Sequence, residues 1–168
     1  MGIGSHTKPN DGKTNDWITP RHILEALGPF DLDPCACDPQ PWPTAKVMWT
    51  VDDDGLSRPW PEDAFVWLNP PYGKLTGPSL SRMPKHPAGG IALIFARTET
   101  QMFWEHIWKQ ADAIMFLNKR LWFYRPDGSR GNTNAGGPSC LIAYGSQAEL
   151  RLRKSGLQGA VVRWEVQG

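Results

Sequence analysis

Long apolar runs are missing from this chain, and so are an even set of cysteines, internal repeats and a strong overall charge. No stretch approaches the roughly 18 consecutive apolar residues of a membrane helix, so no membrane span is expected. Cys35, Cys37 and Cys140 are an odd number and read as reduced thiols. Cys35 and Cys37 alone are too few for a zinc site, and His22, His86 and His106 have no metal-ligand spacing, so no metal is expected. The opening MGIGSHTKPNDGKTND is polar and has no apolar signal-peptide core. It reads as a disordered or flexible arm over residues 1–16, ahead of one domain over 17–168.

The net charge of +1 conceals a division. Residues 1–72 carry 5 Lys+Arg against 11 Asp+Glu, and residues 73–168 carry 13 against 6. The acidic half suits a cationic small ligand and the basic half a polyanion; accidental clustering on a solvated surface is the plainer alternative.

What is present is a set of short apolar segments between turns. TPRHILEALG reads as a helix with Thr19 as cap, Pro20 in the first turn and Ile23, Leu24 and Leu27 on its apolar face. FDLDP is a short strand stopped by Pro34, and CACDPQPWPTA holds too many prolines for a helix. KVMWT, AFVWL, GIALIFA, AIMFL, RLWFY, SCLIAYG and GAVVRWEV read as further strands. TETQMFWEHIWKQ reads as a helix burying Met102, Phe103, Ile107 and Trp108, and SQAELRLRKSG as one opened by a Ser146–Glu149 capping box. Residues 73–90 and 125–138 read as long loops. Strands alternating with helices predict an α/β fold with a mostly parallel sheet. Ligands then bind beyond the carboxyl ends of the strands, where Asp33 and Asn69 both lie.

The stretch AFVWLNPPYGK ends a buried strand in Asn69-Pro70-Pro71-Tyr72. Each proline fixes its own φ and pushes the residue before it to extended geometry. The outcome is a stiff loop offering two acceptors, the Asn69 amide oxygen and the Pro70 carbonyl, beside the Tyr72 ring. An exocyclic amino group on a planar heterocycle fits that set. Accepting from both N–H groups draws the nitrogen toward tetrahedral geometry and localises its lone pair, while stacking holds the ring. A stiff strand-to-loop turn is the structural alternative.

Asn-Pro-Pro-Tyr after an apolar strand resembles the catalytic motif of S-adenosylmethionine-dependent amino methyltransferases. With DWITP, FDLDP, DDGLSRPW and RLWFYRPDG…PSCLIAYG in that order, residues Trp17 to Gly145 resemble the phage-encoded N6-adenine DNA methyltransferases, a compact Dam-like family. The resemblance implies a reduced, Rossmann-like class I methyltransferase domain in the cytoplasm of a bacterial host, with DNA as substrate and S-adenosylmethionine as methyl donor. It implies catalytic roles for Asn69, Pro70, Pro71 and Tyr72. Trp17, Thr19, Pro20, Asp31, Asp33, Pro34, Asp53, Asp54 and Leu56 are the cofactor-side candidates. Lys74, Arg82, Lys119, Arg120, Phe123, Arg125 and Arg130 are the DNA-side candidates, with one ring among Trp122, Phe123 and Tyr124 expected to clamp a flipped base. Sequence readout is expected from loops 73–90 and 125–138, or is relaxed, or uses a second subunit in a homodimer. DPCACDPQPWP lacks the glycine loop and helix of larger methyltransferases, so the cofactor is expected to be cradled differently over residues 35–46. Adenine in RNA, a protein glutamine amide, and a non-catalytic nucleic-acid-binding module are the competing functions.

Overall fold

The computed structural model of the chain describes residues 16–167, so nearly all of the expected N-terminal arm lies outside the described residues. The strands are β1 (Leu32–Asp33), β2 (Val47–Met48), β3 (Val66–Leu68), β4 (Gly90–Phe95), β5 (Ala113–Leu117), β6 (Ser139–Tyr144) and β7 (Gly159–Val162). The helices are α1 (Arg21–Leu27), α2 (Thr76–Leu80), α3 (Gln101–Phe103, running on as a π-turn over Trp104–Trp108) and α4 (Ser146–Lys154).

The strands form one sheet in the order β2-β1-β3-β4-β6-β5-β7. The pairs β1·β2, β1·β3 and β3·β4 are parallel, and β4·β6, β5·β6 and β5·β7 are antiparallel. The expected mostly parallel sheet is therefore a mixed one. The antiparallel half arises because β6 runs between β4 and β5 against both of them.

Period-2 alternation divides the strand residues between two buried faces. Trp67, Ile91, Leu93, Met115, Leu141 and Ala143 face α1 and α4, meeting Ile23, Leu24, Leu27, Ala148 and Leu152. Val66, Leu68, Ala92, Ile94, Ile114 and Ile142 face the other way, onto Leu80, Met83, Phe103 and Ile107. Burial on both sides explains the near-continuous apolar runs of GIALIF and SCLIAY. Each fully buried Leu, Ile or Phe contributes about 1.5–3 kcal/mol.

Several local readings change. Residues 73–90 hold α2 and a 3-10 turn at Met83–Lys85 rather than a plain loop, which is the crossover that joins parallel β3 to β4. RLWFY is not a strand; Tyr124 makes only isolated bridges with Ile18 and Arg130. Thr19 does not cap α1, since its hydroxyl is turned to Asn69. The Ser146–Glu149 capping box is absent, and Glu149 pairs instead with Arg153 and Arg163. The C-terminal end of α1 is closed from α4: Arg151 donates to the Leu27 and Pro29 carbonyls at 3.0 and 2.6 Å, satisfying acceptors a helix end leaves open.

Candidate active site at the sheet rim

The sheet order reverses between β1 and β3, since β1 leads outward to β2 and β3 leads the other way to β4. A crevice forms where parallel strands diverge in this manner. Asp33 ends β1 and Asn69 follows β3, so both sit at the carboxyl rim of that crevice.

The Asn69 amide has one orientation. Its Nδ2 donates to the Trp17 carbonyl at 3.1 Å and to Thr19 Oγ1 at 3.4 Å. The Trp17 carbonyl can only accept, so the amide cannot be flipped. Among the described residues Asn69 Oδ1 is left buried with no hydrogen-bond partner. Among the described residues no donor reaches the Pro70 carbonyl, whereas the Pro71 carbonyl accepts from Thr76 Oγ1 at 2.8 Å. Of three successive carbonyl oxygens, the first two are open and the third is tied to α2. An unmet buried acceptor costs about 1–3 kcal/mol, so the arrangement favours a ligand that donates there.

Asp33 is 2% exposed and has no cation within ion-pair distance among the described residues. Oδ1 accepts from the Cys35 N–H at 2.9 Å and Oδ2 from Thr44 Oγ1 at 2.5 Å. Burial outweighs these two bonds and raises the carboxyl from 3.8 to about 6. Asp33 and Asn69 line one small cavity with Trp17, Thr19, Cys35, Gln40, Thr44 and Trp67. Burial also pushes the Cys35 and Cys37 thiols up to about 12, so neither is a thiolate nucleophile near neutral pH.

On the other side of the tetrapeptide lies a larger, open cavity of about 380 Å³ lined by Tyr72, Thr76, Ile94, Phe95, Arg97, Thr100 and Met102. Tyr72 stacks on Phe95, with centroids 4.8 Å apart and planes 24° from parallel. Gly73 has φ 99°, a left-handed turn that only glycine adopts cheaply and that releases the chain into α2.

The remaining expected site residues divide. Pro34 is buried under the 52–58 loop: a Cβ on Gly55 would lie 2.1 Å from the Pro34 carbonyl, so only glycine lets the loop close there. Pro20 is buried at the start of α1. Asp53 is engaged with the Thr50 N–H at 2.9 Å and Arg58 at 3.2 Å, Asp54 is exposed with φ 51°, and Leu56 is half-buried; none of the three lines either cavity. Asp31 faces Lys46 at 2.7 Å and the Phe65 N–H at 2.9 Å, bonds that hold its carboxyl below the ordinary range. It staples β1 to its neighbours and does not reach the cavity of Asp33.

Of the DNA-side candidates, Lys74, Lys119, Arg120 and Arg130 are exposed, and Arg130 lies 4.6 Å over the exposed Trp122 ring. Arg125 makes long bonds of 3.4 Å to Ser129 Oγ and to the Arg130 carbonyl within its own turn. Arg82 and Phe123 are placed otherwise. Arg82 donates to the Gly55, Leu56 and Arg58 carbonyls at 2.9, 2.6 and 2.7 Å and lies over Trp60, which commits its guanidinium to the 52–58 loop. Phe123 is 6% exposed and packs in the core, so it presents no face to a flipped base. Gln40, Thr44, Trp67, Phe95 and Arg97 were not singled out from sequence. Arg97 had one available signal, being the first charge after an apolar strand.

A family model described as DNA N-6-adenine-methyltransferase (Dam) matches residues 4–150. A DNA N-6-adenine-methyltransferase of Escherichia phage T1 is 31% identical over 72 residues, 40% of this chain and 29% of that protein. The match thus spans under a third of the relative's length. No solved structure matches the chain. Among the described residues no helix is long and apolar enough to cross a membrane, and no group of three His, Cys, Asp or Glu could hold a metal ion.

Proposed function

The chain belongs to the DNA N-6-adenine-methyltransferase (Dam) family, and on that premise we propose that it methylates the N6 amino group of an adenine flipped out of DNA, with S-adenosylmethionine as donor. The observation that carries this reading is the fixed Asn69 amide, whose Oδ1 is a buried acceptor with nothing to accept from. Asn69 Oδ1 and the Pro70 carbonyl each take one N–H of the amino group. That localises the nitrogen lone pair without a strong base, by preorganised dipoles and positioning. Tyr72 supplies the stacking face, and base–aromatic stacking of about 1–3 kcal/mol offsets much of the few kcal/mol needed for flipping.

The sheet supports the finer fold reading, a reduced Rossmann-like methyltransferase domain, through its parallel β2-β1-β3-β4 half and the reversal at the Asp33–Asn69 rim. The two cavities then divide the work across the tetrapeptide. The small one, about 10 Å³ as it stands, carries a buried carboxylate and unmet polar atoms whose chemistry suits the cationic methionine end of the donor, which supplies an electrophilic methyl group when bound; seating that end there requires the cavity to widen. Trp17, Thr19 and Asp33 face that end, Asn69 Oδ1 is kept for the amino group, and the base lies against Tyr72 at the edge of the larger aromatic cavity. Lys74, Lys119, Arg120, Arg125 and Arg130 meet phosphates, which dominate affinity for DNA.

The test is transfer of labelled methyl from S-adenosylmethionine into unmethylated DNA, RNA and protein extract. Label recovered as N6-methyladenine in DNA, and lost with Asn69→Ala, is expected. Label confined to RNA or protein would overturn the substrate, and full activity in Asn69→Ala would overturn the mechanism.

A further inference from the structure

The two prolines stiffen the loop as far as Pro71, but they do not fix the ring that follows. Among the described residues Tyr72 makes no hydrogen bond, through its backbone or its hydroxyl. Gly73 after it turns at φ 99° with open space where a Cβ would stand, so no neighbour presses on the chain there. Tyr72 is 40% exposed, and exposed side chains ordinarily change rotamer within nanoseconds. The ring contact it makes is the near-parallel stack on Phe95.

Phe95 is anchored where Tyr72 is not. It ends β4 in register with Ser139 of β6, and the next residue, Ala96, donates its N–H to the Pro138 carbonyl at 2.8 Å. The Phe95 carbonyl accepts from the Arg97 N–H at 2.8 Å. Its ring packs against the core covered by α1 and α4, and a Cβ on Gly137 would lie 3.6 Å from ring atom Cδ1. One ring of the stack therefore belongs to the sheet, and the other to a loop that nothing else ties down at that point.

We infer that Phe95 is a positioning residue for methyl transfer: it covers one face of the Tyr72 ring and holds the other toward the adenine. It acts through Tyr72 and not on the reacting atoms. This rests on the reading of Tyr72 as the face on which the base stacks. A ring already fixed against the sheet loses little rotamer freedom when the base arrives, which is the gain from preorganisation. An aromatic pair of this kind is worth about two- to tenfold in an equilibrium.

A double-mutant cycle on methyl transfer into unmethylated DNA tests it. Phe95→Leu keeps apolar bulk at the strand end and removes the ring face. It should lower kcat/KM for DNA by about two- to tenfold and leave KM for S-adenosylmethionine unchanged. Phe95→Tyr, which keeps the face, should retain wild-type values. In a Tyr72→Ala background Phe95→Leu should add nothing, because the ring it orients is gone. Wild-type kinetics in Phe95→Leu, a gain in activity, or the same loss with and without Tyr72 overturns the inference; the last is what a purely structural role gives. Where Phe95→Leu does not fold, the wild-type protein decides. Nuclear Overhauser contacts between the Tyr72 and Phe95 rings should persist when an unmethylated oligonucleotide is bound with S-adenosylhomocysteine, and their disappearance overturns the inference alone. A Tyr72→Ala enzyme that methylates DNA like wild type overturns the stacking reading and the inference with it.

Discussion

The two cavities on either side of the Asn69–Tyr72 loop differ in size and in lining. The one under Asp33 is small and lined by residues whose buried polar atoms lack partners. The one beside Tyr72 is about 380 Å³ and is walled mostly by rings and aliphatic carbon, with Thr76, Arg97 and Thr100 among them. A narrow polar site gains from charge, because few water molecules screen it. A broad aromatic site gains from stacking area. Chemistry that joins a charged sulfonium donor to a flat acceptor ring needs one of each, with a rigid loop between them.

The largest effect should come from the residue that opens the loop between them. Asn69→Ala should lower methyl transfer by about 10²–10³, the scale for losing one preorganised hydrogen-bonding group. An unchanged melting temperature would show that the loss is chemical.

Asp33→Asn should weaken S-adenosylmethionine binding by roughly 10–150-fold, corresponding to about 1.5–3 kcal/mol for a charged hydrogen bond, while DNA affinity stays. The pH dependence has a definite sign. The folded carboxyl takes its proton at about 6 against an ordinary 3.8. Between those values the folded chain binds more protons than the unfolded one, so this group's contribution to stability falls as pH rises from about 4 to about 6 and then levels. Donor affinity runs the other way, weakening as pH drops through about 6, since only the carboxylate attracts a cation. Both trends should vanish in Asp33→Asn, by calorimetry and by melting across pH.

Tyr72→Ala acts on the open side. A loss of about 1–3 kcal/mol in apparent DNA affinity, with donor affinity unchanged, would uphold the division between the cavities. Equal loss in both would break it.

Gly55→Ala probes the packing behind Asp33: its Cβ would meet the Pro34 carbonyl at 2.1 Å, and overpacking of this kind costs about 1–3 kcal/mol, read as a lower melting temperature. The smallest effect is expected at the exposed cations. Lys119→Ala should reduce the slope of log affinity for DNA against log salt by about one without changing sequence preference.

Much of this contrast was legible in the sequence, and for a physical reason. Asp33 and Asn69 follow apolar strands, and strand ends are where a parallel sheet places its ligands. Two consecutive prolines announce a stiff loop whatever surrounds them. The rest depends on contacts that no local pattern encodes. Trp67 looks like one more apolar strand residue, and only the cavity shows that its indole N–H lacks a partner. Gln40 and Thr44 stand among prolines that exclude a helix but do not say what the coil wraps. Arg82 looked like a free cation in a loop, yet the three carbonyls that take its donors lie 24 to 27 residues away. RLWFY alternates like a strand, but only Tyr124 forms bridges, each to a single residue on a different segment.

The segment Trp17–Thr19 does more than precede a helix. Its Ile18 backbone exchanges two hydrogen bonds with Tyr124, at 2.8 and 3.0 Å, and the Thr19 carbonyl accepts from Trp42 Nε1 at 3.0 Å. The Trp17 carbonyl, 52 residues away in the chain, is what aims the Asn69 amide. In terms of effective concentration, these three residues are a ligand that the protein supplies to its own Asn69–Tyr72 loop. A chain beginning at Pro20 would keep every atom of Asn69-Pro70-Pro71-Tyr72 and still lose the bond that decides which end of the amide is left free.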